Sequence, residues 1–390
     1  MDDEFLVRRQ AVRFRLAGET VDQICRTLHR TPTWFYKWWH RYQAEGISGL
    51  RNRSHAPIQV VNKTDPELEQ RILQIRQRLE ATRFEQIGAP RIRAELIGLG
   101  YTSVPAISTI EGMLHRHGQT QPRQRVSVAP ICRSYPRPKV EDSNDLHAVD
   151  LIGPRDLKGD STKYYYPVLK DLFDQAFYAE LTDNRRANTL CQFLVRGWHL
   201  LGTPNCLQMD NGREFTGQGR WPRSLGHVIR LCLYLGVEPI FIPEGKPCFQ
   251  GSIENVNGWI GQHVIKAQTY KGTGPARRAL KRSLEVANTK HVHENLGWKT
   301  STEYRWSKRV TKLPADFQLP QERLPLCAGK VTFIRWVRPS GRITILGEKW
   351  KVGKRWKHQY VTATIYTKSQ ELKVYHRGRI IKRWPYKLPM

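Results

Sequence analysis

The chain has 390 residues, 39% hydrophobic and 10% aromatic, which suits several folded domains with cores of their own and excludes a wholly disordered chain. Its 64 Lys and Arg face 35 Asp and Glu, and the net charge of +29 attracts polyanions, nucleic acid before acidic membrane. No uncharged apolar run reaches the roughly 18 residues of a membrane span, since residues 228–242, the nearest candidate, contain Arg230, Glu238 and Pro239; neither a span nor an N-terminal signal peptide is expected.

The seven cysteines, Cys25, Cys132, Cys191, Cys206, Cys232, Cys248 and Cys327, never form a CxxC pair. They read as reduced thiols of a cytoplasmic protein, neither a disulfide framework nor a zinc knuckle. Cys25 and His29 stand four apart on a predicted helix, but no second pair joins them, so a core cysteine and a surface histidine is the plainer reading.

Residues 1–56 predict a three-helix unit. A helix over 4–17 is followed by Thr20 with Gln23 three residues on, the capping-box arrangement. Thr31 then caps a helix that has Pro32 at its first position and Gly46 at its end. That helix, TWFYKWWHRYQAEG, would be the recognition helix of a helix-turn-helix, presenting Thr33, Tyr36, Lys37 and Arg41 to a major groove. Trp34, Phe35, Trp38 and Trp39 read as packing. The basic run LRNRSHAP, with Arg51 and Arg53, would follow a phosphate backbone or enter a minor groove.

Residues 57–118 predict a second helical unit, with helices over 66–83, 90–98 and 105–117. In the last, Ile107, Ile110 and Leu114 form a core stripe and leave Ser108, Thr109, His115 and Arg116 outward. A second helix-turn-helix or a protein-interaction module fits that pattern. Residues 119–143, with Pro122, Pro130, Pro136 and Pro138, read as a linker.

Residues 144–300 predict a β-β-β-α-β-α-β-α core, a mixed sheet with helices on both faces. Two of its strands meet an acid where an apolar residue is expected: Asp150 in DLHAVDLI, and Asp210 in NCLQMDNGREF, where Asn211-Gly212 makes a turn. A carboxylate inside a strand is costly to ionise unless a positive group, an Arg, a Lys or a metal, lies beside it. In QGSIENVNGWIGQHVI, Ile253, Val256, Ile260 and Val264 line one helix face, with Glu254 just off the stripe. Gly251, Gly258 and Gly261 each cost about 1 kcal/mol of helix stability relative to Ala, which suggests close approach of a bulky ligand. Alone, Glu254 reads as a first-turn acid stabilised by the helix dipole; three acids on separate elements favour a metal.

After a linker over 301–327, residues 328–390 predict a small basic β-barrel, with short strands separated by turns at Pro339-Ser340-Gly341, Gly347 and Arg377-Gly378. This segment carries 16 Lys and Arg against two acids, +14, where 144–300 carries 20 against 15, +5. With Trp336, Trp350, Trp356 and Trp384 interleaved, Lys349, Lys351, Lys354 and Arg355 are candidates for non-specific DNA-backbone binding.

Asp150 in AVDLIGP, Asp210 in QMDNGREF and Glu254 in PCFQGSIENVNGWI, after the strand VEPIFIPEG, together resemble the DDE catalytic core of bacterial insertion-sequence transposases and retroviral integrases. The flanking modules resemble those of the bacterial transposases, and the zinc-binding His and Cys pairs of the retroviral N-terminal module are absent. The gap of 43 residues between Asp210 and Glu254 is longer than the family's common spacing. An insertion over 216–224, TGQGRWPRS, accounts for the excess if it loops out; otherwise Glu244 or Glu238 would take the place of Glu254.

The resemblance implies a ribonuclease H-like fold. It also implies a site in which Asp150 bridges two Mg²⁺ or Mn²⁺ ions and Asp210 and Glu254 each complete one of the two positions. Such ions stand about 4 Å apart, neutralise phosphate charge and make an oxygen nucleophile reactive. Asn211, Lys246 and Asn257 become candidates for holding the scissile strand. The activity implied is nicking of transposon ends and joining of the freed 3′-OH to target DNA. The partners implied are double-stranded DNA, further copies of the chain as a dimer or tetramer on DNA, and optionally a helper ATPase, in a bacterial cytoplasm and without membrane. A structure-selective nuclease on the same fold and a domesticated, non-catalytic DNA-binding protein are the alternatives.

Overall fold

The computed structural model describes residues 3–53, 64–120, 135–217, 223–243, 251–308 and 310–389, and the chain divides into two units, 1–65 and 66–390. The first unit holds α1 (Asp3–Leu16), α2 (Val21–Leu28) and α3 (Pro32–Glu45). Both predicted caps form. Thr20 and Gln23 make a reciprocal capping box, and Thr31 Oγ1 accepts from the Trp34 N–H at 3.3 Å. Ala11, Ile24, Cys25 and Phe35 make one small core and Val12, Trp38 and Leu50 another. The buried Arg8 braces the second of these: Nη1 donates to the Leu50 carbonyl at 2.9 Å, and the guanidinium lies 3.7 Å from the centre of the Trp38 ring.

In the second unit, α4 (Pro66–Ala81), α5 (Ala89–Gly98) and α6 (Ile107–Arg116) enclose Ile72, Ile75, Leu79, Ile92, Leu96, Ile110, Met113 and Leu114. The expected boundary at 56 and much of the expected 119–143 linker lie outside the described residues.

The central strands are β1 (Leu146–Arg155), β2 (Tyr164–Asp171), β3 (Phe177–Ala179), β4 (Cys206–Met209) and β5 (Glu238–Phe241). They lie in the order β3-β2-β1-β4-β5, with β2 antiparallel to β1 and β3, and β1, β4 and β5 parallel. That is the ribonuclease H-like order. On one face α7 (Ala187–Leu201) and α9 (His227–Tyr234) contribute Phe193, Trp198, Ile229 and Leu231 to the main core. On the other, α10 (Gly251–Ile260) and α11 (Thr273–Lys290) pack Ile253, Val256, Ile260 and Leu280 against Ala148, Tyr166 and Val168.

After the two-residue strands β6 (Val292–His293) and β7 (Lys299–Thr300), which pair with each other, the C-terminal strands are present, close to their predicted bounds: β8 (Lys330–Trp336), β9 (Arg342–Ile345), β10 (Glu348–Lys351), β11 (Tyr360–Tyr366), β12 (Glu371–His376) and β13 (Arg379–Pro385). Their arrangement differs from a barrel standing apart. β8 pairs in parallel with β5, Phe241 opposite Phe333, so that β8, β11, β12 and β13 continue the central sheet to nine strands, while β9 and β10 form a hairpin. The reason is shared burial. Phe333, Ile343, Val361, Leu372 and Tyr386 belong to the same apolar core as Leu207 and Phe241, and Phe241 and Phe333 stack at 4.8 Å.

Candidate active site

Asp150 lies in the middle of β1, opposite Val168 of β2. Its Oδ1 accepts from the Leu151 N–H at 2.8 Å and its Oδ2 from Asn257 Nδ2 at 2.7 Å. Asp210 follows β4 directly, and its Oδ1 accepts from the Gly212 N–H at 2.9 Å, the Asx turn expected of Asp-Asn-Gly. Gly212 permits this closeness: a Cβ there would lie 2.8 Å from the Glu214 carboxyl carbon and 3.0 Å from Asp210 Oδ1. The turn leads into the short α8 (Arg213–Thr216). Glu254 sits exposed in the first turn of α10, beside the buried Ile253 and Val256.

The acids influence one another. Burial pushes the Asp150 carboxyl up, against hydrogen bonds from Leu151 and Asn257 that pull it down. Burial likewise raises Asp210, and the negative charges of Asp150 and Glu214 raise it further. Glu254, though exposed, is raised by the partial desolvation of its carboxyl and by the charge of Asp150. Asp150 is therefore the common neighbour of the other two. Among the described residues, however, no group of three His, Cys, Asp or Glu is close enough to hold a metal ion. In kind the donors fit a hard divalent cation: three carboxylates and no thiol or imidazole. Beside them the buried Asn257 Oδ1 has no hydrogen-bond partner.

Of the expected insertion over 216–224, residues 218–222 lie outside the described residues. On either side of 218–222 the chain closes on itself, with the Gly226 N–H donating to the Thr216 carbonyl at 3.2 Å. Gly217 and Gly226 touch backbone to backbone, so neither position has room for a Cβ. Of the two substitute acids, Glu238 starts β5 at the opposite end of the sheet and accepts from Thr332 Oγ1. Glu244 and the candidate Lys246 lie outside the described residues.

Both candidate asparagines are bound within the chain. Asn257 holds Asp150, while Asn211 donates to the Ile242 carbonyl at 2.7 Å and accepts from Arg335 Nη2 at 2.6 Å. Side chains built on Gly251, Gly258 and Gly261 would meet nothing within 4 Å, so packing inside the chain does not demand these glycines.

Lys170 is a neighbour that sequence reasoning missed. Buried on β2, it donates from Nζ to the Ser252 carbonyl at 2.9 Å and Oγ at 3.0 Å, under the first turn of α10, and burial lowers its pKa to about 8. A lysine in the apolar run YYYPVLKD is the one signal that could have found it. The second helical unit reaches the far end of the same helix. After Ile260 the helix widens into a π turn (Gly261–Ile265), whose His263 carbonyl accepts from Arg83 Nη2 at 2.9 Å. Trp259 packs against Phe84 with ring centres 6.2 Å apart.

On α3, Thr33, Tyr36 and Lys37 are exposed, and Arg41 is half-buried with its guanidinium 4.9 Å from the Trp38 ring. Phe35 and Trp38 are buried, as their packing role requires. Arg51 is exposed and Arg53 pairs with Glu45. Ser108 and Thr109 are exposed on α6, as are Lys349, Lys351, Lys354 and Arg355 in the C-terminal strands. The tryptophans among those strands are half-buried and pack on other rings: Trp350 lies 5.3 Å from Trp384, and Trp356 lies 4.5 Å from His376.

A family model described as a homeodomain-like domain matches residues 2–51, and a second of the same description matches 34–114. Among solved structures, the HTLV-2 integrase catalytic core domain in complex with magnesium is 20% identical, with a TM-score of 0.33 over 42% of this chain and 96% of its own. The catalytic core domain of BIV integrase is 21% identical, with a TM-score of 0.32 over 42% of this chain and 95% of its own. The simian T-cell lymphotropic virus intasome in complex with PP2A regulatory subunit B56 gamma is 15% identical, with a TM-score of 0.37 over 76% of this chain and 93% of that chain. The chain is thus similar to homeodomain-like domains in its N-terminal part. No helix among the described residues is long and apolar enough to cross a membrane, and no feature of them supports a helper ATPase.

Proposed function

We propose that the chain is a DNA transposase of the DDE type. In this reading the helical units at 1–56 and 57–118 bind the terminal inverted repeats, the core at 144–300 nicks the ends and joins the freed 3′-OH to target DNA, and the strands at 328–390 hold DNA by its backbone. The observation that carries it is the placement of Asp150: its strand runs parallel to and paired with β4, which leads directly to Asp210, and Asn257, on the helix that carries Glu254, donates to it at 2.7 Å. Acidic groups gathered this way, with no Lys or Arg among the described residues paired to Asp150, suit a cation from outside the chain.

Asp150, Asp210 and Glu254 would hold two Mg²⁺ or Mn²⁺ ions. Bound there, the metal supplies charge neutralisation at the phosphate and a more reactive attacking oxygen, water for nicking and a 3′-OH for joining. Asn257 keeps the Asp150 carboxylate turned toward the site, and the Asp210–Gly212 hydrogen bond holds the second acid at the end of its strand. The bare faces at Gly251, Gly258 and Gly261 leave room for a DNA backbone to lie against α10. Because two ends must be joined, the working form would be a dimer or tetramer on DNA, in a bacterial cytoplasm.

The test uses duplex DNA cut from the sequences that flank the reading frame, a target plasmid and Mg²⁺. Release of a 3′-OH at a repeat end and its covalent transfer to the plasmid is the expected result. Cutting without joining would make the chain a nuclease, and binding alone would leave only a DNA-binding protein.

A further inference from the structure

We infer that Arg335, from the C-terminal strands, is a positioning residue for the Asp210 turn, so that β8 completes the candidate active site as well as carrying charge past it. The inference rests on the carboxylate reading above. The parallel pairing of β8 with β5 places Phe333 beside Phe241, so Arg335 stands just beyond the carboxyl end of β5. Asp210 follows the carboxyl end of the neighbouring β4, where Met209 pairs with Phe241. Sites in open α/β sheets form at this end of parallel strands.

The guanidinium is buried and its donors are placed. Nη2 donates to Asn211 Oδ1 at 2.6 Å, Nη1 to the Ile242 carbonyl at 3.2 Å and Nε to the Thr344 carbonyl at 2.8 Å. Asn211 Nδ2 donates to the same Ile242 carbonyl at 2.7 Å. Arg335, Asn211 and Ile242 thereby close a triangle that fixes the residue next to Asp210. A buried charge is costly unless its hydrogen bonds are made, and a residue at this register would otherwise join the apolar side chains around it. Nη1 also donates to the Ile334 carbonyl at 3.0 Å, and only a planar fork reaches acceptors in all these directions, which a lysine cannot do. The C-terminal strands thus reach the catalytic turn through one side chain.

The test compares full-length wild type, Arg335→Met, Arg335→Lys, Asn211→Ala and the Arg335→Met/Asn211→Ala double variant. Each is checked for folding by circular dichroism, then assayed for joining at saturating end DNA across a Mg²⁺ titration. Loss of a residue that orients a metal ligand costs about 10–100-fold in activity or metal affinity. The expected result is a loss of that size in Arg335→Met and Asn211→Ala, a raised Mg²⁺ requirement, little recovery in Arg335→Lys, and unchanged end binding. The double variant should be no slower than the slower single, because both remove the same contact.

Folded variants that join at the wild-type rate, losses that multiply in the double variant, or a defect abolished by saturating DNA would each overturn the inference. If Arg335→Met does not fold, Asn211→Ala decides by the same rate and Mg²⁺ criteria. Asp210→Asn runs alongside: an active Asp210→Asn rejects the carboxylate reading itself, whereas an inactive one beside a fully active Asn211→Ala rejects only the role of Arg335.

Discussion

Asn257 donates to Asp150 across the gap between α10 and β1, 2.7 Å from Nδ2 to Oδ2, on the same helix that carries Glu254 one turn earlier. One contact thereby sets the orientation of one acid and its relation to another. Asn257→Ala should lower joining by about 10–100-fold, the usual cost of losing an outer partner of a metal ligand, while end binding in a gel-shift assay stays as in wild type. A loss of end binding with the joining rate preserved at saturating DNA would assign Asn257 to DNA contact instead.

The raised carboxyls make a stability prediction. Burial and the charges of Asp150 and Glu214 lift the Asp210 pKa above the ordinary value. The folded chain then binds that proton more readily than the unfolded chain, so stability falls as pH rises from the ordinary carboxylate range through the folded-state value. Asp210→Asn should therefore melt above wild type in EDTA at neutral pH. Mg²⁺ should raise the melting temperature of wild type by mass action and move that of the variant far less. Calorimetry checks both, and an equal Mg²⁺ response in the two proteins contradicts the assignment of Asp210.

A second cluster of acids serves the fold. Asp171 and Asp174 are fully buried, and Arg305 reaches both, Asp171 at 2.8 Å and Asp174 at 2.7 Å. Burial pushes Asp171 up, but His147, whose Nε2 lies 3.3 Å away, the charge of Arg305 and the Asn144 N–H bring it below the ordinary value. Removing one partner of a buried pair costs about 3–5 kcal/mol, and urea unfolding of Arg305→Met at neutral pH should show a loss of that size. A carboxyl with a depressed folded-state pKa adds stability that is complete above its unfolded value and disappears as pH falls through the folded one. The acid limb of wild-type stability should therefore be steeper than that of Asp171→Asn.

The exposed face of α3 predicts a binding phenotype separate from catalysis. Lys37→Ala should weaken end binding on every sequence alike and lower the salt slope by about one, as expected for a lost phosphate contact. Thr33→Ala or Tyr36→Ala should instead relax the preference for particular bases. Fluorescence anisotropy against repeat and scrambled duplexes separates the two effects.

The order of the central strands and the helices that cover them was legible because each has an apolar period and a turn at its ends. The capping box at Thr20 and Gln23 and the Asx turn at Asp210 are local chemistry that a sequence displays directly. α11 was not legible: its inward positions, Ala276, Leu280, Ser283, Val286 and Ala287, make a narrow stripe, three of them small, among basic residues. The junction of β8 with β5 was hidden for another reason. Strand pairing between residues 241 and 333 is a long-range contact with no local signature, and nothing within VTFIRWV marks Arg335 as buried. Lys170 was missed likewise, since its partner at Ser252 belongs to a helix far along the chain.

The most direct test of the three-carboxylate site is Mg²⁺-dependent joining of a repeat-end oligonucleotide to plasmid by wild type, Asp150→Asn, Asp210→Asn and Glu254→Gln, with end binding measured on the same samples. The three variants should bind ends normally and give no joined product. Joining near the wild-type rate by any one of them would remove that acid from the site.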